Sequence, residues 1–461
     1  MASDKRHDET ASGLDAAQRT TLAGNLAAEA ADISTAIEAD PRAEVKLPKR
    51  ELLAVFLAQT TLFMALVVPT AFSLAIKIGA IDPAGRDLSL ALAVGVGGTV
   101  IIFTNPVLAI MSDRTRSRFG RRRPWFLLGL VLGLLGSAIV GFGTVSAVLI
   151  AGWAVAIVGY TLSAGMLLTY LGDRLPEQQR GKVMGVIGAI SQIGPILGIA
   201  LAGSFANDLT MMFVLPAIVA FVGPLWFAVT MKDSQFTGEI PPLQLGQLAR
   251  GFYFNPRRHS NYGWVIVSKF FIYASLAFTS IYGVYLLQGR LGLDVAEVSS
   301  LVALIGLGGV VTAIVGAIGA GWLSDKLHSR KPFLVVSALL LVVSPITVGL
   351  STSVLEYAIA ALIGTLAIGI YGSVDQALAL DTLPSEENEN GRYLAIFGLA
   401  NAVPQAAGPF AAAGVLALFG GDYSWVYFVA GGFAFLAALA ILPISVGRRA
   451  QLSTTSIVTA K

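Results

Sequence analysis

Two charged residues stand in stretches that are otherwise uncharged. Lys269 lies in GWVIVSKFFIYASLAF and Asp375 in AIGIYGSVDQALAL. An ammonium and a carboxylate at such places can hold two segments together as a salt bridge. They can also exchange a proton, because protonating the carboxylate removes its attraction for the cation. Tyr273 follows Lys269 by four residues and Tyr371 precedes Asp375 by four, so in helices each phenol lies one turn from its charged neighbour on the same face. Gln59, Tyr160 and Gln376, in similar runs, add hydrogen-bonding groups. Hydroxyls, amides and aromatic faces together suit a sugar-like solute. For Gln192, Asn401 and Gln405 the expected use is hydrogen bonding between helices.

The elements that position these residues are membrane spans. Only 13% of the 461 residues are charged and 55% are hydrophobic, with a mean hydropathy of +0.74. A soluble domain carries roughly twice that charge. Apolar stretches of about 18 residues or more read as transmembrane helices. Twelve are expected, at 52–76, 88–111, 125–143, 146–171, 183–205, 210–231, 263–287, 299–323, 333–351, 354–380, 393–418 and 424–446. The glycines of Gly194-x-x-x-Gly198, and Gly316, Gly319 and Gly321, are expected to serve close helix packing. Residues 1–50 read as a disordered tail, 51–231 and 263–446 as two six-helix units, 232–262 as the central loop and 447–461 as a second tail. The loop's GFYFNPRRHSNYGW suits a segment lying on lipid headgroups.

Composition also excludes chemistries. No cysteine is present, and the three histidines lie in the tail or in polar loops, so a thiolate, a zinc site or a serine–histidine pair within the membrane is not expected. No metal, cofactor or nucleic acid is implied, and no set of paired acids marks an enzyme.

Charge in the loops gives the orientation. Seventeen lysines and arginines fall in the loops on the side of the N-terminal tail, against Lys77, Arg86 and Arg290 on the other. The positive-inside rule then places both termini in the cytoplasm, and the protein in the cell membrane. Lys77 and Glu356 sit at the far ends of their spans, where Lys77 is expected to snorkel to water.

The loops also repeat. SDRTRSRFGRRRPW from Ser112 has a shorter echo in SDKLHSRKPF from Ser324, and LGDRLPEQQRGKVMG from Leu171 resembles LDTLPSEENENGRYLAIFG from Leu380. Asp113 and Asp325 are 212 residues apart, Asp173 and Asp381 are 208 apart. Two signals at nearly one offset indicate a duplicated six-helix unit, the pattern of secondary transporters with a midplane site.

On these motifs the chain resembles the major facilitator superfamily over residues 51–446. Asp113, Arg114, Gly120, Arg121 and Arg122 match that family's loop between its second and third helices, with Ala109 in place of the leading glycine and a longer loop. The second copy keeps Gly321, Asp325 and Lys326. The long form ending in GRRRPW is similar to the sugar–cation symporter branch, the glycoside–pentoside–hexuronide and plant sucrose/proton symporters; PEQQRG, with Arg180, is also of that family's type. The resemblance implies an all-α fold of twelve transmembrane helices in two pseudo-symmetric bundles. It also implies that Asp113, Asp173, Asp325 and Asp381 belong to latch motifs, Asp113 pairing with arginines and a helix N-terminus when the cytoplasmic side is closed. Spans 1, 4, 7 and 10 would line the cavity. The acids that serve as sodium ligands in spans 2 and 4 of that branch are missing here, which favours protons over sodium and leaves protons, or no ion at all.

Lys269 lies about 9 Å inside its span and Asp375 about 8 Å inside its own, counted from the same membrane face at about 1.5 Å per residue. Opposite charges at matching depth, on two helices that the resemblance places at the cavity, could meet there as a static ion pair or as a coupling or substrate site; the third alternative is that they never touch. The expected function is therefore secondary transport of a small polar solute, a monomer driving proton-coupled sugar or glycoside uptake. Proton-driven export of drugs or metabolites, and a non-transporting sensor on the same fold, are the alternatives.

Overall fold

A computed structural model describes residues 48–175, 177–233, 259–327, 329–382 and 390–444. Both tails, most of the central loop and the side chains of Arg180, Gln376 and Asp381 lie outside the described residues. Twelve helical segments follow in order: α1 Lys49–Ile81, α2 Arg86–Asp113, α3 Arg123–Phe142, α4 Ser146–Arg174, α5 Glu177–Gly203 and α6 Met211–Thr230. Then come α7 in two pieces, Ser260–Thr279 and Gly283–Leu291, α8 Val295–Lys326, α9 Lys331–Leu350, α10 Val354–Thr382, α11 Asn390–Leu418 and α12 Ser424–Ile441. Eleven of the described helices are long and apolar enough to cross a membrane. In α11, Asn401, Pro404, Gln405 and Pro409 interrupt an equally long run.

Packing repeats between the halves. α3 lies on α4 and α6, α1 on α5 and α6, and α2 on α4; the same pairings recur as α9 on α10 and α12, α7 on α11 and α12, and α8 on α10. Small residues allow the closest of these approaches. A Cβ added at Gly159 of α4 would sit 2.3 Å from the backbone of Gly133 in α3, and one at Gly194 of α5 would sit 2.1 Å from the Thr60 carbonyl oxygen of α1. Gly316 likewise meets the Leu366 backbone of α10, whereas Gly319 and Gly321 face open space. The packing role expected for all of these glycines thus holds at Gly194, Gly198 and Gly316 only.

Two helices are interrupted at matching places. α1 opens into a π turn over Pro69–Ser73, where proline lacks an N–H and Leu74 N donates to the Pro69 carbonyl. The single expected span 263–287 is broken at Ser280–Tyr282. Thr279 and Ser280 both turn their hydroxyls back onto the Leu276 carbonyl, competing with the helical bond.

The face carrying the arginine loop, here the basic face, differs from the opposite face. The halves meet along α2–α11 and α5–α8. Gly95 lies under Phe410, Gly98 against Ala406, Gly203 against Ser299 and Gly306 against Ile196, all in the middle or toward the opposite face. At that face Tyr285 OH donates to the Ala75 carbonyl (2.9 Å), Tyr282 OH to the Asp87 carbonyl (3.1 Å) and Tyr423 OH to the Asp87 carboxylate (2.7 Å). Arg86 donates to the Tyr423 oxygen and lies 4.7 Å from the Tyr285 ring centre. Toward the basic face, added Cβ atoms at Gly165, Gly185, Gly188, Gly372 and Gly398 meet nothing within 4 Å. The two halves are therefore joined at the opposite face and part toward the basic one.

Candidate functional site

Lys269 and Asp375 meet. The ammonium lies 2.6 Å from Asp375 Oδ2, with both residues 5% exposed. Tyr371 OH donates to the other carboxylate oxygen at 2.7 Å, from one turn earlier on α10. Tyr273, half-buried one turn along α7, places its ring centre 5.4 Å from the ammonium and 6.4 Å from the Tyr371 ring. The sequence reading missed Phe397 of α11, whose ring centre is 3.4 Å from Lys269 Nζ. Nothing in the local sequence of α11 marks that phenylalanine, because its role depends on which helix it faces.

The remaining cavity candidates separate. Gln59 donates to Ser191 Oγ of α5 at 2.9 Å and is buried, with its amide oxygen unpartnered. Tyr160 is not at the central cavity: it packs on Gly133 and shares a hydrogen bond with Ser137 of α3 at 3.0 Å, inside the first bundle. The position on α4 was right and the rotation wrong, since Gly133 opens a slot that the ring fills. Lys77 does not snorkel. It is 2% exposed and donates to the Gly141 carbonyl at the C-terminal end of α3, where the helix dipole favours a cation. Glu356 is exposed at the opposite face, as expected, accepting from Thr352 N.

Gln192, Asn401 and Gln405, expected to bond between helices, make no side-chain hydrogen bond among the described residues. They belong instead to a pattern. On α5 one exposed stripe is apolar (Val186, Ile193, Leu197), and another carries Gly185, Gly188 and Gln192. On α11 the corresponding stripes are Val403, Ala407 and Leu418, and Gly398, Asn401 and Gln405, with Asn401 half-buried and the others exposed. Spacings of three, four, seven and eleven keep each set on one helix face. An apolar stripe suits lipid; an exposed carboxamide at mid-helix needs water or a polar ligand. Gln192 and Gln405, like Gly188 and Asn401 or Gly185 and Gly398, are 213 residues apart, so the two halves present matching polar stripes.

At the basic face the arginine loop is tied to its own half. Arg122, 5% exposed, lies 2.6 Å from Asp113 Oδ1, 3.4 Å from Asp173 Oδ2 and 3.0 Å from Ser112 Oγ. Arg121 reaches Asp173 at 3.1 Å. Asp113 thus pairs with an arginine, but the helix N-terminus is held by another acid, Asp233, which the sequence reading did not single out. Its carboxylate accepts from the backbone N–H groups of Arg122 (2.5 Å) and Arg123 (2.8 Å) at the start of α3. Gly120 makes room for it: φ is +99°, and an added Cβ would lie 2.3 Å from Asp233. Arg123 donates to the Met231 carbonyl. The second half repeats this last contact, Lys331 at the start of α9 reaching the Leu442 and Ile444 carbonyls after α12. Asp325 is exposed and makes no ion pair among the described residues, and Lys326 lies over Trp322. A further buried acid, Glu51 at the start of α1, accepts the Tyr170 hydroxyl.

Among the described residues no group of histidines and acids could hold a metal ion.

A family model of the Major Facilitator Superfamily matches residues 51–320 and again 265–456. A 105-residue stretch is 32% identical to Multidrug resistance protein 3 of Bacillus subtilis (strain 168), covering 22% of this chain and only 20% of that protein. Among solved structures, a variant of the nucleoside transporter NupG is similar at a TM-score of 0.69 and 12% identity, covering 86% of this chain and 98% of that one. A bacterial homologue of the human lysosomal transporter Spinster gives 0.66 and 16%, covering 88% and 100%. A D-xylose-proton symporter gives 0.62 and 15%, covering 86% and 97%. At these identities the structures establish the fold alone. The duplicated bundle agrees with the family match, and the chain belongs to the major facilitator superfamily, a family of multi-pass membrane transporters.

Proposed function

We propose that the protein carries a small, neutral, polar organic solute, a sugar or glycoside, by alternating access coupled to protons. The observation that carries the solute class is the pair of matching stripes, Gly185/Gly188/Gln192 and Gly398/Asn401/Gln405. Carboxamides both donate and accept, carry no charge and suit hydroxyl groups. The coupling group is Asp375. Its proton uptake ends the attraction that binds α10 to Lys269 on α7, so the balance between the two facing states becomes proton-dependent. The basic face is cytoplasmic by its excess of lysine and arginine, so this arrangement opens to the cytoplasm. On closure, Asp113, whose side chain is 57% exposed here, is available to the second half as a latch.

The test is uptake of labelled monosaccharides and disaccharides into proteoliposomes under an imposed pH gradient. Accumulation above equilibrium that collapses with the gradient supports the reading. The short match to a multidrug resistance protein supports a second reading, export. Proton-driven dye movement in the same vesicles, with no sugar accumulation, would favour that one.

A further inference from the structure

We infer that Phe397 is a positioning residue of the coupling pair, keeping Lys269 charged when Asp375 takes up a proton. This rests on the proton-coupling reading above and adds to it the reason that one proton is gained at all. A buried lysine–aspartate pair has two ways to lose its attraction. The lysine can pass its proton to the carboxylate, which leaves two neutral groups and takes up nothing from the cavity. Alternatively a proton from water adds to Asp375 Oδ2, the N–H···O contact is lost, Lys269 retains its own proton and the site's net charge rises by one. Only the second route couples the proton gradient to movement. It leaves an ammonium without a counter-ion in a buried place, which is costly unless other groups hold it.

Those groups are present. The Phe397 ring centre lies 3.4 Å from Lys269 Nζ and the Tyr273 ring centre 5.4 Å, from α11 and α7 respectively. An aromatic face attracts an ammonium without neutralising it, most strongly where water is excluded. The cage therefore favours the charged lysine in both states, and matters most once the carboxylate is neutral. Phe397 also sits on the helix that packs against α2 of the other half, beside the open face at Gly398. Among the described residues, the other titratable groups on these helices toward the basic face are Tyr371 on α10, Tyr393 on α11, and Tyr262 and His259 at the start of α7; the His259 and Tyr393 rings are 5.9 Å apart. Lys331 of α9 is turned to the carbonyls after α12 and Lys326 of α8 to Trp322.

The experiment replaces Phe397 with mono-, di- and trifluorophenylalanine, which drain the ring face of negative charge while keeping its shape, and with leucine. The readout needs no substrate. A cysteine replacing Gly165, where an added side chain meets open space, is alkylated from the basic face as a function of pH, normalised to the unfolded protein at each pH. All variants are repeated with His259→Gln, which removes the nearby imidazole. The pH midpoint should fall stepwise with fluorination, by roughly one pH unit for the trifluorinated ring, because the proton-loaded state loses its support. Phe397→Leu should match that limit and Phe397→Tyr the parent. A midpoint that is constant across the fluorinated series overturns the inference. Asp375→Asn separates the two levels of argument. If it abolishes the pH dependence while fluorination does nothing, only the role of Phe397 fails. If pH dependence survives it, or the parent shows none, the coupling reading itself fails and this inference with it.

Discussion

Removing two hydroxyls at the opposite face should open that face. Tyr285 and Tyr423 each bond across the two halves, to the Ala75 carbonyl and the Asp87 carboxylate. Tyr285→Phe keeps the ring against Gly79 and under Arg86 and loses one neutral hydrogen bond, about 1 kcal/mol. Tyr423→Phe loses a bond to an ionised, part-buried group, about 1–2 kcal/mol. Both bonds cross the seam, so both costs fall on the arrangement seen here. The double variant should shift the facing equilibrium by about 2–3 kcal/mol, roughly 30- to 150-fold. Ala91, fully buried on α2 one turn before Gly95, is a reporter once replaced by cysteine in this cysteine-free chain. Alkylation by an impermeant maleimide from the opposite face then proceeds in proportion to the open fraction. A rate within about threefold of the parent, with both variants folded, would show that these bonds do not hold the face shut, since the calculated shift is at least tenfold larger.

Three further outcomes follow from the geometry. Gly120→Ala should fold poorly, since φ of +99° strains any other residue and its Cβ would strike Asp233; expression and monodispersity in detergent report it. Asp233→Ala should lower thermal stability by about 0.5–2 kcal/mol through the lost cap of α3, with Asp233→Asn retaining part of it. Lys269→Ala should destabilise by about 3–5 kcal/mol because it strands a buried carboxylate, and adding Asp375→Ala should recover much of that loss in the same melting assay.

Depth along each helix was legible in the sequence; rotation about it was not. The matching depth of Lys269 and Asp375 followed from counting residues inward from one face at the helical rise; that the two touch is decided by how α7 and α10 are rotated in the packing. The number of spans and the repeat followed from hydropathy and from two loop motifs at one offset. Tyr160 went wrong because the choice between facing the cavity and facing α3 is made by Gly133, a residue far away in sequence. Lys77 went wrong because its acceptor, the end of α3, comes from another helix. Phe397 and Asp233 were missed for the same reason: each acts on a partner that only tertiary packing supplies. The break in α7 had a local signal in Thr279–Gly283, where side chains compete for backbone carbonyls, but the apolar residues around it masked that signal.

The central claim is that proton exchange at Asp375 drives the cycle, and one variant tests it. Asp375→Asn resembles the protonated carboxyl in shape and charge, so the protein should still exchange labelled for unlabelled solute across a proteoliposome membrane, a process with no net proton movement. Under an imposed pH gradient it should fail to concentrate the sugar that the parent accumulates. If the Asp375→Asn protein still concentrates that sugar with the parent's pH dependence, the coupling role is contradicted, and the pair of Lys269 and Asp375 is a structural tie between α7 and α10.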